Sequence, residues 1–116
     1  MKLIEQAAGL QHAFEQQMLE NGYESQTTFY QDFTIADAFG DLAVLDTFER
    51  AFSEWHTNIV YLTELSIVLN HKIWQHYHAK NEQLTKLYDL LWRKTDDYCC
   101  NNLKGDDLNY YLRVTD

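Results

Sequence analysis

Proline is absent from the 116 residues, and glycine occurs only four times. A chain of average usage would hold roughly six prolines and eight glycines, so folds rich in tight turns are disfavoured. β-Branched residues are also scarce: leucines far outnumber valines and isoleucines, which argues against a sandwich or barrel of many short strands. Cysteine is limited to Cys99 and Cys100, which are adjacent and have no distant mate. Such a pair closes no loop, so reduced thiols and a cytoplasmic setting are expected. No long apolar run exists either. The most apolar stretch, 59–69, is interrupted by Glu64 and is too short to span a bilayer. Glu5 and Gln6 break the N-terminal apolar run too early for a secretory signal.

Basic residues are the remaining scarcity. Nine Lys and Arg face eighteen Asp and Glu, for a net charge of −9. Residues 1–64 hold only Lys2 and Arg50 against eleven acids, whereas 65–116 are balanced, so the whole excess lies in the first half. Without a cluster of cations to neutralise phosphates, direct nucleic-acid binding is not expected. The acidic excess reads as a solvated surface that aids solubility, with a surface that engages a basic protein as the alternative.

The remaining signals read as one all-α domain over 1–116. Leu3, Ala7, Leu10, Phe14 and Met18 recur at helical spacing and predict a first helix near 2–20, ended by Asn21 and Gly22. Thr34, with Asp37 in the first turn, predicts a second helix start, and Phe29, Phe33, Ile35 and Phe39 predict a segment folded down on the core. Gly40 separates it from the next helix. The series Leu45, Phe48, Phe52, Trp55, Ile59, Leu62, Ser66, Leu69, Ile73 and His76 keeps helical phase throughout. It predicts a small helical bundle around a long central helix over 41–79, with Thr57 and Asn58 as the place for a kink or a fresh N-cap. Asn81 and Glu82 predict the start of a helix whose inner face carries Leu84, Leu87, Leu91, Thr95, Tyr98 and Leu103. Lys104 and Gly105 end it, and one short turn around Leu108, Tyr111 and Leu112 comes after. The expected core is Leu10, Phe14, Leu45, Phe48, Phe52, Trp55, Leu62, Leu69, Ile73, Leu87, Leu91 and Tyr98.

No pattern of catalytic or metal-binding residues stands out. His71 and His78 share a face but lie about 10.5 Å apart along a helix, too far to hold one metal ion. The neighbours Asp96 and Asp97, and Asp106 and Asp107, suit helix caps and solvated faces. No phosphate-cradling glycine loop or nucleophile elbow occurs. Neither catalysis nor a cofactor is therefore expected. Aromatic residues, by contrast, are abundant, eight of them tyrosine, a side chain suited to interfaces.

Three runs, FYQDFTIADAFG at 29–40, LNHKIWQHY at 69–77 and NLKG at 102–105, resemble small uncharacterised accessory proteins of bacterial mobile elements and phages. The resemblance implies an accessory role and supplies no catalytic residues.

These readings converge on a non-catalytic protein-interaction module. The alternative is an inhibitor that mimics nucleic acid, presenting Asp37, Asp41, Asp46, Glu49 and Glu54, beside Ser53, opposite the apolar face of the central helix. A second stripe, Tyr61, Leu65 and Val68, is the expected seam of a homodimer.

Overall fold

The computed structural model describes residues 2–115. Six helices succeed one another: α1 (Leu3–Glu20), α2 (Phe29–Asp37), α3 (Asp41–Trp55), α4 (Ile59–His78), α5 (Glu82–Asn102) and α6 (Gly105–Thr115). No strand occurs among the described residues. The bundle measures 45 × 28 × 26 Å. No described helix is long and apolar enough to cross a membrane.

Helix α4 is the hub, packing on α2, α3, α5 and α6. It buries Leu62 to Ser66 without interruption, then Val68, Leu69, Lys72 and His76. One cluster joins Phe14, Phe29, Tyr30, Phe33, Val44, Phe48, Leu65, Val68, Leu69, Leu84, Tyr88 and Leu91. A smaller one under α6 joins Leu62, Cys99 and Tyr111.

The long central helix is corrected. Residues 56–58 separate α3 from α4, and the Asn58 side chain caps α4 by accepting from the backbone N–H of Val60 and Tyr61 (3.1 and 3.2 Å). Trp55 and Ile59, on either side of the break, are four residues apart, an ordinary helical step, so the apolar periodicity of the sequence runs across it.

Thr34 is not a cap. Helix α2 begins at Phe29, and the Thr34 hydroxyl donates to the Tyr30 carbonyl one turn back (2.7 Å). The expected short turn after Gly105 is an eleven-residue helix, α6, held by the burial of Tyr111. Leu10 lies outside the core. The inward face of α1 is Ala7, Gln11 and Phe14, because the Gln11 amide bridges α1 to the segment before α2, donating to the Thr27 carbonyl and accepting from Gln31 N–H.

Caps end the other helices where the residue types indicate. Gly22, at φ 86°, lets Tyr23 N–H reach the Met18 carbonyl and closes α1. Asn81 accepts from Leu84 N–H (3.1 Å) and opens α5. Lys80 takes the same left-handed role after α4, at φ 60°, with Asn81 N–H bonded to the His76 carbonyl (2.9 Å).

Candidate functional site

The surface between α2 and α3 is the most distinctive feature. The link 38–40 turns on Gly40, at φ 107°, and sends α3 back along α2. Small side chains on both helices, Ala36 on α2 with Ala43, Thr47 and Ala51 on α3, leave a groove of about 410 Å³. Apolar atoms of Phe29, Ile35 and Trp55 line it, and Phe39 stands at its mouth. Phe39, expected to fold down on the core, is instead 74% exposed, and Leu42, in the first turn of α3, is 82% exposed. Both are far above the ordinary exposure of large apolar side chains.

Charge rims this groove. Asp32 stands on α2, and Asp46 and Glu54 on α3. Arg50 is the one cation among the lining residues and bonds to Asp46 (3.1 Å). Burial pushes the Asp32 carboxyl above its ordinary value, opposed by the Thr28 hydroxyl and the Arg50 charge. Asp32 thus stands, solvent-accessible, at the edge of a groove lined by both apolar and charged side chains.

The other acids expected to act together are dispersed. Asp41 accepts from the Gln83 amide (2.6 Å), and Glu49 is exposed on the outer face of α3. Asp37 is internal. Its carboxylate receives Lys72 Nζ (2.8 Å), His76 Nε2 (2.8 Å) and the Tyr88 hydroxyl, joining α2 to α4 and α5. The Lys72 side chain is 0% and the Asp37 side chain 13% exposed. Lys72 completes its shell with Thr34 Oγ1 (3.1 Å) and Gln75 Oε1 (3.2 Å). Burial works against ionisation of Asp37, but the His76 and Lys72 bonds and the Lys72 charge outweigh it and hold the carboxyl below its ordinary value. Burial lowers Lys72, with Asp37 opposing. Burial also raises Tyr30, which stacks on Phe14, to about 12.

The dimer stripe is likewise corrected. Leu65 and Val68 are 1% and 0% exposed, covered by the chain's own helices, and Tyr61 is half-buried against Trp55 (ring centroids 4.4 Å). No surface is left there for a second copy to cover. Periodicity identifies an apolar face but not that α2 and α5 already occupy it.

No family model, curated protein or solved structure matches the chain.

Two further polar clusters carry little signal in the sequence. The Glu64 carboxylate, fully buried on α4, accepts from Ser25 Oγ (2.8 Å), Gln26 N–H (2.6 Å), Thr27 N–H (3.2 Å) and the Thr27 hydroxyl, clamping the segment before α2. Tyr111 on α6 donates to Asp96 Oδ1 (2.8 Å) and meets Ser66 Oγ (3.0 Å). A charge inside the most apolar stretch is the one available signal for the first. No group of three or more His, Cys, Asp or Glu suited to a metal occurs among the described residues. Asp37, Lys72, His76 and Tyr88 hold acid–base groups in close contact, but they are packed between helices and do not line the groove. Cys99 is buried, its thiol pushed up to about 12 chiefly by that burial, and Cys100 is exposed.

Proposed function

We propose that this chain is a non-catalytic interaction module, an accessory protein that binds another protein through the α2–α3 face. The observation that carries the reading is the exposure of Phe39, in the link between α2 and α3, and of Leu42, in the first turn of α3, at 74% and 82%, beside an α2 end fixed by the Asp37 centre. Exposed apolar side chains on a rigid element are what protein interfaces use as anchors. The groups capable of proton transfer serve packing instead, each satisfied by neighbouring side chains.

Mimicry of nucleic acid is the weaker reading. It needs Asp41, Asp46, Glu49 and Glu54 in a row, yet steps of about 100° per residue spread them over about 220° of the helix circumference. Asp37, the fifth acid, lies inside.

Capture from a lysate of the source organism tests the proposal, with the native chain compared against a Phe39→Ser, Leu42→Ser double variant. A protein retained by the first and lost by the second is the expected result. Identical captured sets would sink the reading.

A further inference from the structure

We infer that the α2–α3 groove receives a basic amphipathic helix, whose apolar edge packs beside Phe39 and whose Lys or Arg side chains meet Asp32 and Glu54. This rests on the interaction reading and names the partner's chemistry. No strand occurs among the described residues, so an extended peptide would find no sheet edge to bond its backbone. A helix satisfies its own backbone and needs only an apolar channel, which small residues on α2 and α3 provide.

Charge selects the sign of the occupant. Three carboxylates, Asp32, Asp46 and Glu54, face one guanidinium among the groove residues. Asp46 and Glu54 lie eight residues apart on α3, roughly 12 Å or just over two turns, so a helix of about three turns reaches both. Asp32 gains as well, because a cation in the groove would add to the counter-charge that Arg50 alone supplies to its carboxylate.

Arg50 gives the inference its sharpest consequence. It projects from α3 between Asp46 and Glu54, bonds Asp46, and is close enough to Asp32 to stabilise that carboxylate. It therefore occupies the place of the partner's cation. Removing it should strengthen binding, although it deletes a polar contact on the chain itself.

The probe is a 14-residue idealised Leu/Lys amphipathic peptide, with its Leu/Glu counterpart as control. Binding is measured by fluorescence anisotropy and mapped by amide chemical shifts on the labelled chain. The Leu/Lys peptide should shift amides of residues 32–36, 39 and 43–54, and the Leu/Glu peptide should not bind. Phe39→Ala should weaken binding roughly thirtyfold, as for an interface anchor. Asp32→Asn and Glu54→Gln should each weaken it about two- to fivefold at low salt. Arg50→Gln should tighten it by a similar factor, with the thermal midpoint of every variant checked against the native chain. Shifts spread over all acidic surfaces with no effect of Phe39→Ala would mean charge adhesion alone and overturn the groove. So would the absence of binding. Shifts centred on Trp74 and Tyr77, exposed aromatic side chains near the end of α4, would also overturn the groove, and the interaction reading would stand on the capture experiment.

Discussion

Replacing Lys72 with methionine tests what fastens α2 to α4 and α5. Methionine keeps most of the apolar stem, so the loss is chiefly that of the ammonium. That group contributes a 2.8 Å ion pair to Asp37 and hydrogen bonds to Thr34 and Gln75, with its side chain 0% exposed. Removing one partner of a buried ion pair costs about 3–5 kcal/mol, because the other charge is left uncompensated. Here Asp37 keeps donors from His76 and Tyr88, which places the expected loss near the lower end, about 3 kcal/mol. Domains of this size are stable by roughly 5–15 kcal/mol, so the variant should fold but melt early. In urea, followed by circular dichroism at pH 7, the midpoint should fall by about 1.5 M for an m-value near 2 kcal/mol/M. Adding Asp37→Asn to Lys72→Met should cost less than the two single losses summed, the mark of a coupled pair. A Lys72→Met loss below about 1 kcal/mol, or strict additivity, would refute the reasoning. Acid provides a second check. A carboxyl held below its ordinary 3.8 contributes stability that is complete above that value and is lost as pH falls through the lowered folded value. Asp37→Asn should therefore flatten the acid limb of the stability profile.

Glu64→Ala should cost about 2–4 kcal/mol and speed hydrogen exchange at Gln26 and Thr27, whose amides it accepts; unchanged exchange would count against the clamp. Lys80→Gly should stabilise by about 1 kcal/mol in thermal melts, since Lys80 sits at φ 60° in a position that suits glycine; a loss would show that its side chain matters more than its backbone. A thiol reagent should modify Cys100 in the native chain and Cys99 only on unfolding, giving one accessible thiol per native chain; two accessible thiols would contradict the packing under α6.

The helices themselves are legible in the sequence because their signals are local. Asn21 with Gly22, Asn58 and Asn81 act where their side chains and backbones suit caps, whatever lies around them. The break at 56–58 is obscured because its length preserves phase, and phase is all that an apolar series displays. The groove is only half visible. Asp46 and Glu54 read correctly as outward acids on an amphipathic helix, while the channel beside them depends on how closely α2 approaches α3. Asp37 misleads for a related reason. An acid near a helix start is ordinarily a dipole partner at the surface, and only tertiary contact brings Lys72 and His76 against it. His76 does fall in the apolar register, which marks a position as inward without saying what it meets.

The buried polar groups are better understood as a set than singly. Glu64 holds the segment entering α2, and Lys72 and His76 hold the residue that ends it. On α4, Lys72 and His76 lie eight and twelve residues beyond Glu64, roughly 12 and 18 Å, which brackets the roughly 13 Å of the nine residues of α2. The segment is therefore tied at both ends to one helix. Apolar packing between α2 and α4 would tolerate sliding by a fraction of a turn; hydrogen bonds of 2.6 to 2.8 Å at both ends do not. Buried ion pairs are weak contributors to net stability when compared with an apolar core, and their best-attested use is to select one arrangement. What they select here is the placement of α2, and with it the spacing from α3 that leaves the groove open. Preorganisation of that kind lowers the ordering cost of binding. The interior charge and the exposed Phe39 thus belong together: the centre beneath α2 fixes in advance the shape that the proposed helix would meet.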